Sequence, residues 1–386
     1  MGSKHPDIVI AGGGPVGAAL ALGLCDCGLR VTLIEARVPG AVVDDTRTIA
    51  LAHGSRLILE RLGVWPALAP ETTAIHCISI SQQRSFGRTE LSAHEANVPA
   101  LGYVTGYAAL QRALVGALER TAVRVLAGCT VLAVSGDANG AVVSVDASGT
   151  RLELATRLAA IADGGAQLDI AHVKTRDYRQ SALVCDVASE QLHQNRAFER
   201  FTPDGPLALL PTARGWSLVW TVRPGCAQQL AALDDAEFCR QLHAVFGSAV
   251  GAFTAAGRRQ VFPLALKYAT RPVAPRTLLI GNAAQTLHPV AGQGFNLGLR
   301  DAWELARAIL AHGESDPGGS DLLNEYFSQR RYDRIATILF TDTLIRLFCK
   351  DIPLLNGARG LGLAAFGAIP AAKNFLARRM MFGARG

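Results

Sequence analysis

Three glycines at positions 12, 14 and 17 stand between the apolar run Asp7-Ile-Val-Ile-Ala and a stretch of helix-forming residues. Their GxGxxG spacing suits a strand that turns tightly into a helix. The first glycine makes the turn, the second admits a pyrophosphate, and the third lets helix and strand touch. The pattern predicts a buried strand over 7–11, a helix over 16–27 that Gly28 can cap, and a second strand over 30–35. Glu35 ends that second strand, where a carboxylate can accept bonds from both hydroxyls of an adenosine ribose. The motif marks a dinucleotide site without separating FAD from NAD.

A second glycine-rich stretch narrows the choice. Residues 277–280 form a short apolar run, followed by a turn at Gly281-Asn282 and a loop with His288-Pro289. Gly292, Gly294 and Gly298 then surround Gln293, Phe295 and Asn296. From about Asn296 an amphipathic helix is expected, with Ala302, Leu305, Ala306, Ile309 and Leu310 at helical spacing. Glycines let backbone pass close to a flat or anionic ligand, and a helix start offers free N–H groups to negative charge. Reduced flavin carries such charge at its pyrimidine end. Taken alone, the stretch also fits a plain strand, turn and core helix. One long cofactor touching both stretches has its ADP end at Gly12 and its ring at Gly294, and FAD has that length.

The 386 residues suffice for two domains, or for one with a long insertion. A net charge of +6, with no Lys/Arg block or aromatic–basic alternation, argues against nucleic acid as a partner. The eight cysteines form no CxxC, and Cys25 and Cys27 stand too close for a relaxed disulfide or a zinc knuckle, so no metal is expected. No signal peptide precedes Asp7, and a reducing cytoplasm is the economical location.

Arg47 is expected at the start of a helical stretch leading to Leu62, either as a surface cation or bridging loops near the cofactor phosphates. Gln111 lies near the start of a helix over 107–118. The run Leu158-Ala-Ala-Ile-Ala-Asp163-Gly-Gly reads as a buried strand with a turn. Alternation over 75–104 and strand-like runs over 181–187, 207–210 and 216–222 predict a second sheet. The fold class is α/β: a discontinuous Rossmann-like FAD-binding domain (1–72, 105–175, 271–315), an inserted mixed β-sheet substrate domain (73–104, 176–270) and a C-terminal helical region (316–386). The uncharged run 360–372 is too short to span a bilayer; it fits packing on the main body, or a membrane-surface element beside Arg378, Arg379 and Arg385.

GxGxxG at Gly12–Gly17, Asp163-Gly164 and the segment Gly281–Asp301 occur in the order of the three motifs of the class A flavoprotein aromatic hydroxylases, which the chain resembles from end to end. More narrowly, it is similar to the ubiquinone-biosynthesis hydroxylases. The supporting strings are Gly281-Asn-Ala-Ala-Gln-Thr-Leu-His-Pro, Ala291-Gly-Gln-Gly-Phe-Asn-Leu-Gly, Arg196-Ala-Phe-Glu-Arg-Phe-Thr, Gly205-Pro-Leu-Ala and Thr46-Arg-Thr-Ile-Ala-Leu. The resemblance implies that Gly12, Gly14, Gly17 and Glu35 hold the ADP half of FAD, that Arg47 and Gln111 meet its middle, and that Gly292–Asn296 run along the flavin. Pro289 falls where a backbone faces flavin and substrate.

The implied chemistry is reduction of FAD by NAD(P)H, capture of O2 as a flavin C4a-hydroperoxide, and oxygen transfer to a polyprenylated phenol. Other ubiquinone-biosynthesis proteins and a peripheral membrane contact are the implied partners. Two departures stand out: Asn282 replaces the family's usual Asp, and after Asp163-Gly164 the run Gly165-Ala-Gln-Leu-Asp-Ile replaces the usual continuation with Ser and then Arg. No residue declares itself the base; His288 has a suitable ordinary pKa. Hydroxylation at another ring carbon, a small soluble phenol, a flavin reductase or dehydrogenase without oxygen insertion, and a non-catalytic flavoprotein in a lipid-synthesis complex stay open.

Overall fold

The computed structural model describes residues 5–41, 45–165, 171–312, 316–349 and 353–385; the departure over 166–170 lies outside them. Strand Ile8–Ala11 sits inside a six-stranded sheet, parallel to Leu158–Ile161 on one side and Val31–Glu35 on the other. Thr277–Leu279 and Arg124–Ala127 extend it in parallel, and Val273–Ala274 ends it antiparallel. Successive strand side chains point to opposite faces. Ile8 and Ile10 therefore join a core with helices Pro15–Gly23, Tyr107–Leu118 and Gln293–Ala311. Val9 and Ala11 pack instead beneath a three-stranded antiparallel sheet of Cys129–Gly136, Ala141–Ala147 and Thr150–Thr156. Covered on both faces, the central strands read as unbroken apolar runs.

Two local expectations change. The first helix stops at Gly23, because Cys25, Asp26 and Cys27 are weak helix formers; Gly28, at φ +74°, lies in the turns beyond rather than at the cap. Thr48–Ala52, expected as helix, is a strand paired antiparallel with Gly102–Gly106, and helix starts only at His53. β-branched Thr48 and Ile49 suit a strand, and the distant partner decides the outcome.

A nine-stranded mixed sheet stands against this layer. Its main path runs Gln285–Thr286, Gln260–Ala269, Val173–Ser189, Gly215–Val222, Pro206–Thr212, Arg196–Phe201, Cys77–Gln82 and Arg88–Ser92. Phe253–Ala256 also pairs with Val173–Ser189. Helices Pro224–Ala232 and Asp235–Phe246 cover one face, burying Trp216, Phe238 and Leu242. Asp234 caps the second helix by accepting the Glu237 N–H at 2.8 Å. Through Gln285–Thr286 the second glycine-rich stretch is itself paired into this sheet.

The C-terminal helices Ser320–Phe348, Pro353–Gly367 and Pro370–Phe382 close the molecule. Arg330 donates to Asp301 at 2.7 Å and to Asp333 at 2.8 Å, and Arg300 donates to Asp333 at 2.9 Å. Asp301 in turn accepts from the Gly281 N–H and from Gln285, while Asp333 accepts the Ala384 N–H at 2.8 Å. The tail packs through Ala377 and Met381 against Leu91 and Leu101, with Leu361, Ile369 and Phe375 left exposed. Among the described residues no single helix is long and apolar enough to cross a membrane; the last two helices are apolar together but bent by 92°.

Candidate cofactor and substrate site

The three glycines of the first motif do different work. A Cβ on Gly12, at φ +105°, lies 2.6 Å from the Ala162 carbonyl oxygen, and one on Gly17 lies 1.9 Å from the Gly12 carbonyl oxygen. Both are required by strand–helix contact. Gly14 differs: a Cβ there meets nothing closer than the Tyr107 hydroxyl at 3.8 Å. Glu35 reaches back toward this turn and takes the Arg37 backbone N–H at 2.8 Å and its guanidinium at 2.9 and 3.0 Å. Burial raises the Glu35 pKa, but these bonds, with one from the Gly13 N–H, outweigh it and hold the carboxyl below its ordinary value. Arg37 was not singled out in the sequence; its signal is a cation two residues past a strand-end acid.

Gln111, 3% exposed, donates through Nε2 to the Gly13 carbonyl at 2.7 Å, which leaves its Oε1 buried without a partner. Arg47 pairs with Asp45 at 2.6 Å and lies over the Tyr107 ring, 5.5 Å from its centroid. Asp163 accepts the Gly165 N–H at 3.0 Å, beside the Gly12 turn.

In the second stretch, Ala291 and Gly292 are both left-handed, at φ +58° and +60°, and they aim the chain into helix Gln293–Ala311. That helix has no side-chain N-cap, and Gly294 faces open space. Gln293 is buried and donates to the Ala291 carbonyl at 3.1 Å. Asn296 accepts from the Ala52 N–H and the Ser55 hydroxyl, and donates to the Ala50 and Gly292 carbonyls, at 2.7–2.9 Å. Its side chain is committed to protein, so what this position offers a ligand is backbone. Phe295 packs into the main core. Gly281 packs on Val16, and Asn282, at the turn that follows, has an exposed side chain.

His288 is 1% exposed, with its Nδ1 accepting the Val290 N–H at 3.1 Å. The proton therefore sits on Nε2, and burial pushes the pKa down to about 3. Its one ring lone pair is on the Val290 N–H, and this arrangement argues against His288 as a base. The Pro289 carbonyl accepts the Gly292 N–H at 2.9 Å, tightening the loop. Beside that loop lies an apolar cavity lined by Ala291, Gln293, Ile78, Leu91, Leu101 and Met381 among others.

The FAD binding domain family matches residues 5–339. The chain belongs to this FAD binding domain family. Two relatives are similar over nearly the whole length. Ubiquinone hydroxylase UbiL of Rhodospirillum rubrum is 34% identical, covering 98% of this chain and 90% of that protein. The 3-demethoxyubiquinol 3-hydroxylase of Escherichia coli is 32% identical over 95% of each. The solved p-nitrophenol 4-monooxygenase PnpA from Pseudomonas putida shares the fold over 99% of both chains, at TM-score 0.80 and 17% identity.

The family's FAD fits what this chain presents. Gly14 leaves room that a side chain would fill, Gln111 keeps an unpaired buried oxygen, and the start of helix Gln293–Ala311 carries uncapped N–H groups. Glu35→Ala is expected to weaken FAD about ten- to hundredfold, the roughly 1.5–3 kcal/mol of a charged hydrogen bond. Titration of apoprotein checks this; unchanged affinity would leave Glu35 as a partner for Arg37 alone. Asn282→Asp in this family member is expected to be nearly silent, with flavin content within a few-fold. The exposed side chain keeps an acceptor and buries no charge. A folded Asp variant that loses its flavin would show that the amide N–H groups are needed.

Proposed function

We propose that the protein is an FAD-dependent monooxygenase that hydroxylates the ring of a polyprenylated phenol, of the 2-polyprenyl-6-methoxyphenol kind, in ubiquinone biosynthesis, with NAD(P)H and O2 as co-substrates. The observation that carries this is the apolar cavity reaching the Ala291–Gln293 loop, walled by Ile78, Leu91, Leu101 and the tail's Met380 and Met381. A prenyl chain suits such walls, and methionines adapt to its shape. The names of the two relatives agree with it. When bound, FAD supplies hydride acceptance from NAD(P)H and the activation of O2. The chain holds its ADP half at Gly14 and Glu35, offers backbone N–H groups to its pyrimidine end, and keeps water from the reacting ring with aliphatic side chains. The test is labelled O2 with NAD(P)H and a short-chain prenylated phenol. Label in the product ring is expected; NAD(P)H oxidation with no label in product would identify a reductase instead.

The exposed edge of the tail, Leu361, Ile369 and Phe375, belongs to the same proposal as a contact with the membrane that stores the substrate. Replacing Leu361 and Phe375 by Glu is expected to reduce flotation with anionic vesicles several-fold while flavin content holds. Equal flotation would remove the membrane from the account.

A further inference from the structure

Strand Arg196–Phe201 was not legible in the sequence, yet it runs beside the cavity. It pairs in parallel with Cys77–Gln82, setting Ala197 opposite Ile78 and Glu199 opposite Ile80. Alternation puts Ala197, Glu199 and Phe201 on one face with Ile78, Ile80 and Gln82. Across the next strand, Glu199 stands opposite Ala208. Only two acids occur in strands Cys77–Gln82, Arg88–Ser92, Arg196–Phe201 and Pro206–Thr212, namely Glu90 and Glu199. Glu90 is opposite Ser79, on the other face, and pairs with Arg196. Glu199 is therefore the one carboxylate these strands turn toward the cavity loop. Phe201, Val290, Ile345, Phe348 and Leu363 surround this place with apolar surface.

The carboxylate lies beside the loop, near enough for the Ala291 backbone N–H to lower its pKa. Ala291 and Ile78 both line the cavity, and Glu199 adjoins the first directly and the second through its own strand. An ionised carboxylate has about four acceptor sites, so Glu199 can serve a ligand as well as the loop.

We infer that Glu199, which stands beside this cavity on the strand paired with Ile78, accepts the phenolic proton of the substrate. The inference rests on the monooxygenase reading above. In the step, the phenol O–H bond breaks and a carboxyl O–H bond forms. The electron pair left on the phenolic oxygen raises electron density on the ring carbons that receive oxygen. As the hydroxylated ring carbon gives up its own proton to water and its C–H pair restores the ring, the carboxyl returns its proton to that oxygen, so no proton is consumed at this residue. The Glu199 side chain is partly accessible, yet the apolar groups around it raise its pKa to about 7 against the lowering effect of the nearby Ala291 N–H, which suits a base that must both take and release a proton near neutrality.

The surrounding titratable groups leave this task to it. On the loop, His288 is neutral with its lone pair used. On helix Ser320–Phe348, Asp342 is held by Arg176 and Arg346, and it accepts from the Tyr178 hydroxyl, whose pKa burial lifts to about 12. Cys349 follows that helix, its thiol pushed up to about 12 by burial, with Arg359 and Asp204 also acting on it. On its own strand, Arg196 and Arg200 point to the opposite face, to Glu90 and the Val245 carbonyl.

The test uses FAD-loaded protein and a geranyl-substituted nitrophenol, whose phenolate has a visible band. In oxidised wild-type protein without NAD(P)H, binding should develop that band without releasing a proton to the buffer. Glu199→Gln should bind the probe within a few-fold and keep its FAD, but develop no band by internal transfer. Its kcat on a prenylated phenol should fall about 100-fold, the lower range for a lost general base, and the acid limb near pH 7 should vanish. Glu199→Asp should restore part of both. A Gln variant that keeps the band and the acid limb overturns the assignment. So does loss of FAD from both variants, which would make Glu199 a structural pin of the loop. If wild-type protein places no labelled oxygen in any phenol, the monooxygenase reading falls, while the band still decides where the proton goes.

Discussion

Gly14→Val is expected to give a folded but colourless protein, with FAD retention weakened about 100-fold or more, or roughly 2.7 kcal/mol. Gly14 has φ −63° and ψ 175°, which any residue adopts, and its carbonyl accepts the Ala18 N–H at 2.9 Å. Nothing in the polypeptide asks for glycine there. The nearest atom to an added Cβ is the Tyr107 hydroxyl, 3.8 Å away. Only a ligand passing over the helix start would collide with the valine methyls. Gly17→Val is the contrasting control: its Cβ would lie 1.9 Å from the Gly12 carbonyl oxygen, so fold and cofactor should fail together. Flavin absorbance per polypeptide, with a thermal melt of each variant, separates the two cases. A yellow Gly14→Val protein with full flavin content would remove the pyrophosphate from this turn.

Arg330→Met should be the most damaging single change away from the glycines. Arg330 lies between two buried carboxylates, Asp301 and Asp333, and is itself 6% exposed. Removing one partner of such a group typically costs about 3–5 kcal/mol, because charge stays buried without compensation. Burial raises the Asp333 pKa, but Arg300 and Arg330 overcome this and hold it below the ordinary value. A depressed carboxylate contributes stability above the unfolded pKa of about 3.9, and loses it as pH falls through the lower folded value. The gap between parent and variant should therefore be full at neutral pH and narrow as the pH falls below about 4. Denaturant melts across pH check this, and Asp333→Asn in the variant background should recover part of the loss. Equal melting of parent and Arg330→Met at pH 7 would contradict it.

The parts of the fold legible in the sequence are those where geometry selects a residue type. Gly12 and Gly17 are demanded by contact with backbone atoms, and the two-sided burial of Ile8–Ala11 writes itself as a continuous apolar run. Strand Arg196–Phe201 was hidden for an opposite reason. Arg196, Phe198 and Arg200 share one face, while Ala197, Glu199 and Phe201 share the other. Each face mixes charge with apolar surface, so no period of two emerges. Glu199 could not stand out in such a run, since its surroundings come from residues at 78–80, 290 and 345–363. Thr48–Ala52 is a short apolar run that suits helix or strand, and only pairing with Gly102–Gly106 settles it. His288 was legible as a loop histidine but not as a neutral one, because its tautomer depends on the Val290 N–H. Arg37 escaped because a lone arginine after a strand says nothing until its carboxylate partner turns back onto it.

The bond from the Ala384 N–H to Asp333 reaches across the fold to the glycine-rich turn. It ends a chain of charges that runs through Arg330 and Asp301 to the Gly281 N–H, beside the glycine-rich turn. Ala384 thus braces, from far along the chain, the turn at Gly281. Proteolytic loss of the segment around Ala384 would leave Asp333 without that donor and loosen the turn without touching any residue that forms it.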